Sequence, residues 1–274
     1  MSKLPVALVQ MRSGTDPARN IDDAEALIRE AAAGGARFIV TPEMTNLVQK
    51  NTQALMENVR APDEDPAMVR FSDLAQALGV DLLIGSLALK GTDGRAVNRS
   101  CLFGPDGGLK AYYDKIHMFD VNLGKGETYS ESASFAPGSR AVLSETGGVP
   151  LGLSICYDVR FAYLYRRLAK AGAVMIAVPS AFTRPTGRAH WEILLRARAI
   201  ETGSFILAPA QGGKHEDGRK TWGHSMIAGP WGEIIAVRED DEPGLLHAAI
   251  DPGETSAART RIPALNGDRE VSGP

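Results

Sequence analysis

Apolar residues fall along this chain in two rhythms: short unbroken runs, and longer stretches with one apolar residue every three or four. The runs Val6–Val9 and Phe38–Val40 predict buried strands, since a strand covered on both faces is apolar throughout. Between them Asp16-Pro17 marks a helix start, and the alanine-rich segment to Ala33 ends at Gly34-Gly35, a C-cap. Pro66 to Leu78 carries apolar residues at helical spacing and stops at Gly79. Asp81–Leu89 and Val97–Phe103 predict strands, and the second runs through a Gly-Pro-Asp-Gly-Gly turn into its hairpin partner Leu109–Tyr113. Residues 114–140 lose the rhythm and predict a long irregular loop of the kind that lines sites. The second half repeats the alternation: strand Pro150–Ile155, helix Phe161–Lys170, strand Val174–Pro179, helix Arg188–Glu201 ending at Gly203. Four strands follow, at Phe205–Pro209, Gly223–Ala228, Glu233–Val237 and Leu245–Ile250. Parallel units mixed with hairpins predict an α/β protein with mixed sheets covered by helices. One domain over 1–274 is the simpler organisation, with a core of about 4–252 and a C-terminal extension at 253–274.

Composition narrows the picture by exclusion. The 274 residues carry a formal net charge of −3 with acids and bases interspersed, so neither a nucleic-acid stripe nor a solvating acidic tail is expected. The longest apolar run, Ala173–Val178, is too short for a bilayer, and no membrane partner is expected. The first ten residues enter a strand pattern at once rather than showing the zones of a secretory leader. Two cysteines, Cys101 and Cys156, make no disulfide scaffold, and a reducing cytoplasm is the expected compartment. Gly-x-Ser-x-Gly, Walker and His-Glu-x-x-His patterns are missing. The glycines at Gly124 and Gly126 complete no nucleotide motif, and no Cys/His spacing suggests a metal.

The candidate chemistry gathers where strands end. In Ser154-Ile155-Cys156-Tyr157-Asp158 an apolar run delivers a thiol to an abrupt polar change. Cys156 reads either as a small buried hydrophobe or as a nucleophile; Cys101, inside an alternating strand, reads as core. A nucleophilic cysteine needs a base, and none of His117, His190, His215, His224 and His247 is placed as a papain-like partner. Of these, His117 best suits a site. Glu43 emerges after Phe38–Val40 through Thr41-Pro42, where partial desolvation would raise its pKa toward that of a general base; a solvated loop acid is the competing reading. Lys115 ends the strand Leu109–Tyr113 among aromatic neighbours. Amide hydrolysis would use all three: Glu43 takes the thiol proton, the thiolate attacks, and Lys115 with the Tyr157 backbone N–H steadies the oxyanion. No metal or organic cofactor is required.

The blocks Thr41-Pro42-Glu43, Tyr113 to Asp120 and Ser154 to Phe161, in that order and spacing, are together specific. The chain resembles the nitrilase superfamily of carbon–nitrogen hydrolases from its first strand to Ile250. The resemblance implies an α-β-β-α sandwich that pairs as a homodimer, with Phe161–Lys170 and Arg188–Glu201 as the pairing helices. It also implies a second glutamate between the lysine and cysteine blocks, Glu131 or, as competitor, Glu127. Further blocks, Pro179 to Thr183, Ala189 to Glu201 and Trp222-Gly223-His224-Ser225, are similar to the deaminated-glutathione amidase and ω-amidase branch. Substrate contacts are expected from His117, Phe119 and Arg160, and from Phe182 and Thr183. Arg184 and Arg188 depart from the branch's pattern and read either as solvated charges or as carboxylate readers. The implied activity is a cysteine-dependent amidase on a small carboxylate-bearing amide, deaminated glutathione first. The alternatives are an ω-amidase on α-ketoglutaramate or α-ketosuccinamate, and a catalytically silent scaffold on the same fold.

Overall fold

The computed structural model describes residues 3–124 and 127–273; Gly126, read with the long loop, lies outside the described residues. Two sheets form its centre. The first runs in the order Gly244–Ile250, Leu4–Gln10, Phe38–Val40, Asp81–Lys90, Ala96–Phe103 and Leu109–Asp114, with Phe135–Ala136 joined to Ala96–Phe103. The second runs Ile234–Val237, Met226–Ala228, Phe205–Ala208, Met175–Ala177, Val149–Leu153 and Val142–Thr146. In each sheet three central strands are parallel and their crossovers are helical, as parallel neighbours require.

Helices α1 (Pro17–Ala33), α2 (Thr52–Asn58) and α3 (Pro66–Leu78) belong to the first half. Helices α4 (Ala162–Lys170), α5 (Arg184–Thr202) and α6 (Pro252–Arg261) belong to the second. The strand Leu4–Gln10 shows why layers form. Val6 and Leu8 join the core shared with the second sheet, whereas Ala7 and Val9 join the core beneath α1 and α3. That is the period-two alternation of a strand buried on both faces. Helix α5 packs on Phe205–Ala208 and Met226–Ala228, and α4 on Val149–Leu153. The result is the α-β-β-α sandwich. No helix among the described residues is long and apolar enough to cross a membrane.

The structure departs from the periodicity in several places. The segment 114–140 is more ordered than a loop, holding a small hairpin of Asp120–Asn122 with Thr128–Ser130 and a 3-10 turn at Glu131–Ala133. Helix α5 starts at Arg184 rather than Arg188, because the Thr183 hydroxyl accepts from Thr186 N and Pro185 suits the first turn. Val142–Thr146 is an unforeseen edge strand. The C-terminal extension contains α6, which opens on Asp251 with Pro252 as α1 opens on Asp16 with Pro17.

Candidate active site

Three strand ends deliver three side chains to one place. Beyond Phe38–Val40 the chain is held across the sheet by Thr41 N to Leu83 O at 3.0 Å and Ser86 N to Pro42 O at 3.1 Å. Gly85 makes this approach feasible: a Cβ there would lie 2.0 Å from Thr41 O and 2.5 Å from Pro179 Cβ of the other sheet. The Glu43 carbonyl is gripped by Gln211 Nε2 at 3.0 Å, which leaves the carboxylate to face the cleft between the sheets. Lys115 follows Leu109–Asp114 and is pinned by its N–H to Asn98 O at 3.0 Å and by Gly138 N to its carbonyl at 2.8 Å.

Cys156 opens a 3-10 turn, Cys156–Arg160, immediately after Val149–Leu153 and Ser154-Ile155. Its φ is +49°, in the left-handed region that costs a non-glycine residue about 1–2 kcal/mol. The conformation is held by Cys156 N donating to Pro179 O at 2.9 Å and by Asp158, whose Oδ2 accepts Ile155 N at 2.9 Å and the Tyr113 hydroxyl at 2.7 Å. A sharp strand-to-turn elbow of this kind projects a thiol away from the sheet. Tyr157 N sits at the open start of the turn, ahead of Asp158 N, which donates to Ile155 O at 3.0 Å.

The charged groups form a buried cluster. Lys115 Nζ bonds Glu43 Oε1 at 2.9 Å and Glu131 Oε1 and Oε2 at 2.9 and 2.8 Å. Asn98 Nδ2 is shared between Glu43 Oε1 at 2.9 Å and Glu131 Oε1 at 3.3 Å, and Glu131 Oε2 also accepts Phe119 N at 2.7 Å. Burial opposes the charge on Lys115, yet Glu131 and Glu43 outweigh it and hold the ammonium well above its ordinary pKa. Lys115 is therefore a fixed cation rather than a base. Burial pushes the Cys156 thiol well above its usual range, the Glu43 carboxylate adds to this, and Lys115 opposes it. The Cys156 thiol is thus held toward its neutral form beside a carboxylate.

Glu43, Lys115, Glu131, Cys156 and Tyr157 line one cavity of about 670 Å³, with Phe119, Phe182, Thr183 and Arg184 on the same wall. The structure brings Glu131 to Lys115; Glu127 lines the cavity too but accepts the Tyr129 hydroxyl at 2.8 Å. Other expected contacts fall elsewhere. His117 is off the wall, its Nδ1 2.6 Å from Asp158 Oδ1, its Nε2 2.5 Å from the Tyr163 hydroxyl and its ring stacked on Phe161. No histidine lines the cavity among the described residues, so a Cys–His arrangement has no partner here. Arg160 lies over the outer faces of Tyr157 and Phe182 and contacts His190. Arg188, one turn into α5, is exposed and off the wall. Arg184 lines the cavity but is paired with Asp241.

Sequence reasoning passed over Asn98, which bridges Glu43 and Glu131, and Asp158, which holds the Cys156 turn, and both are fully buried. A signal existed for Asn98, an uncharged polar residue in the predicted strand Val97–Phe103 on a buried position. Asp158 gave none, since its partners Tyr113 and His117 are distant in sequence.

Comparison with known proteins accords with this geometry. Residues 5–260 match the carbon-nitrogen hydrolase family. A deaminated glutathione amidase of Synechocystis is 39% identical over 94% of this chain and 96% of its own length. A chloroplastic omega-amidase of Arabidopsis thaliana is 34% identical over 98% of this chain and 73% of its own. The crystal structure of the C. elegans NitFhit protein superposes with a TM-score of 0.90 at 32% identity, covering 98% of this chain, which spans 66% of that protein. A match over nearly the whole chain, on a fold that gathers a thiol, a lysine and two carboxylates, has one conclusion: the chain belongs to the carbon–nitrogen hydrolases of the nitrilase superfamily and is a hydrolase of amide C–N bonds.

Proposed function

We propose that this chain is a cysteine-dependent amidase whose substrate is a small carboxylate-bearing amide, deaminated glutathione before the simple ω-amides. The observation that carries the reading is the contact of one buried ammonium with both Glu43 and Glu131 on the cavity wall that Cys156 shares. Glu43 accepts the thiol proton as sulfur attacks the carbonyl carbon, so negative charge passes from carboxylate to sulfur beside the same Lys115 cation. This proton transfer generates the thiolate only when substrate is present, as suits a thiol held above its ordinary pKa. Lys115 and the Tyr157 N–H then face the tetrahedral oxyanion. Protonated Glu43 returns its proton to the departing amine, and the thioester is hydrolysed by water that Glu43 activates. Glu131 and Asn98 keep Lys115 and Glu43 aligned. The side chains suffice, and no cofactor enters.

A substrate panel tests the reading. Deaminated glutathione and α-ketoglutaramate release different amines but the same keto acid, α-ketoglutarate, which serves as the common readout. The expected result is α-ketoglutarate from both, with the higher kcat/KM for deaminated glutathione. A higher kcat/KM for α-ketoglutaramate moves the chain to the ω-amidase reading, which the similarity to the Arabidopsis protein favours.

The proposal extends to one hydrolase domain over 1–274, working as a homodimer in a reducing cytoplasm. Helices α4 and α5 expose Tyr163, Ile193 and Ile200 at 64%, 70% and 57%, more apolar surface than two packed helices need to leave open. Sedimentation velocity should give a dimer for the wild type and a monomer for Ile193→Glu; a monomeric wild type removes this assignment.

A further inference from the structure

The cavity wall includes a short hairpin, Gly212–Lys214 with Lys220–Trp222, whose tip presents Arg219. The tip is firmly built. His215 N donates to Arg219 O at 2.8 Å, Gly218 N to His215 O at 3.0 Å, and Arg219 N to Asp217 Oδ1 at 2.8 Å. The His215 ring anchors this tip to the body through Ser13 O at 2.8 Å and the Thr221 hydroxyl at 2.7 Å.

On that backbone the Arg219 guanidinium is partly exposed and only loosely paired. Its one ionic neighbour is Asp217 Oδ2, 3.9 Å from Nε and beyond hydrogen-bond reach, and it donates no hydrogen bond among the described residues. Yet its side chain is only 24% exposed. Arg184, on the same wall, is by contrast already paired with Asp241. Lys50 and Lys220 also line the wall with no ionic partner among the described residues, and Lys50 Nζ lies against the tip, 3.5 Å from where a Gly218 Cβ would stand. The wall's carboxylates are otherwise engaged, Glu43 and Glu131 by Lys115 and Glu127 by Tyr129.

A strip of aromatic rings relates this group to the thiol. Tyr157, next to Cys156, packs on Phe119 at 5.2 Å, and Phe119 packs on Tyr129 at 5.2 Å. The Tyr129 hydroxyl feels the positive charge of Arg219. Arg219 thus lies beyond two ring contacts from Tyr157, on the cavity wall that Cys156 shares. A peptide on the amide nitrogen, at about 3.3–3.6 Å per residue, extends toward that end of the wall, and a bare amide nitrogen does not. The cavity, about 670 Å³, likewise falls within the ~300–1,000 Å³ that suits larger ligands.

We propose that Arg219, with Lys50 and Lys220 beside it, binds a carboxylate at the far end of the leaving amine, so that the site selects amides whose nitrogen carries a short carboxylate-terminated peptide. This rests on the amidase reading above. The guanidinium fork is suited to a bidentate carboxylate contact, and its fixed backbone limits the entropy lost on binding.

The test compares three substrates, deaminated glutathione, its C-terminal carboxamide and α-ketoglutaramate, by α-ketoglutarate formation. The wild type should favour the free acid over the carboxamide by roughly 10- to 100-fold in kcat/KM, the range of a charged hydrogen-bonded contact. In Arg219→Gln that preference should fall to about threefold or less, through KM, with Arg219→Lys intermediate. A melting curve for each variant separates folding from recognition. The pair Lys50→Gln and Lys220→Gln, on exposed side chains, should lower the same ratio even where Arg219→Gln perturbs the hairpin. A wild type indifferent to the carboxamide, or an Arg219→Gln variant that loses all three substrates equally, overturns the assignment. A wild type that cleaves none of the three overturns the amidase reading itself.

Discussion

Cys156→Ala should abolish turnover, lowering kcat by about 10⁴-fold or more, as removal of a covalent nucleophile does when it acts with its base as a unit. The variant should still bind substrate, because the cavity wall and the Lys115 cluster are untouched. Intact-mass measurement after mixing with substrate should show the acyl adduct on the wild type and none on Cys156→Ala. Persistent turnover or acylation in the alanine variant refutes the role of the thiol. The backbone supplies a second readout. At φ +49° a Cβ is strained whatever the side chain, so Cys156→Gly should be inactive yet more stable than Cys156→Ala, by up to ~1 kcal/mol after glycine's extra chain entropy is set against the relief. Thermal melting of the two inactive variants checks this, and a glycine variant below the alanine one rejects the strain argument.

Lys115→Met should be damaging in two ways at once. It leaves buried Glu43 and part-buried Glu131, both already bonded by the same Asn98 amide, with no cation between them. Breaking a buried ion cluster from one side costs about 3–5 kcal/mol, which for a chain of this size lowers Tm by roughly 6–15 °C. Loss of the charge facing the oxyanion should lower kcat by about 10²–10³-fold. The double variant Lys115→Met with Glu43→Gln should recover much of the stability and none of the activity, since one of the two opposed carboxylates is gone. The pH dependence has a definite sign. Lys115 is raised above its ordinary value, so its contribution is complete below about pH 10.4 and is lost only as pH climbs through the folded value. The wild-type advantage over Lys115→Met should therefore persist throughout neutral pH. A methionine variant with wild-type Tm removes the cluster from any structural role.

Much of the framework was legible before any coordinates. The run Phe38–Val40 and the strand beginning at Asp81 stand where predicted, because a strand buried on both faces leaves an apolar signature that needs no partner to be read. Helix α3 ends at Gly79, whose φ of +62° is the left-handed cap that its position suggested. The same local signal was overlooked at Asp251-Pro252, where a capped helix opens. The start of α5 was misplaced by a turn because the Thr183 cap lies ahead of the first obvious apolar repeat. Arg188 consequently moves from a helix start to an exposed position off the wall.

By itself the sequence determined the alternation of strands and helices, the strand ends at which Glu43, Lys115 and Cys156 emerge, and the family resemblance that joins them. These are local properties, set by side-chain period, caps and turn residues within a few positions. Only the tertiary structure decided that Glu131 rather than Glu127 meets Lys115, and that Asn98 spans both carboxylates. It alone set His117 aside with Asp158 and left Arg219 on the cavity wall with no side-chain hydrogen bond among the described residues. The physical reason is that a buried charge takes its partner by distance in space, and the two sheets bring Glu43 and Lys115 to 2.9 Å across 72 residues of chain, a pairing that no local pattern encodes.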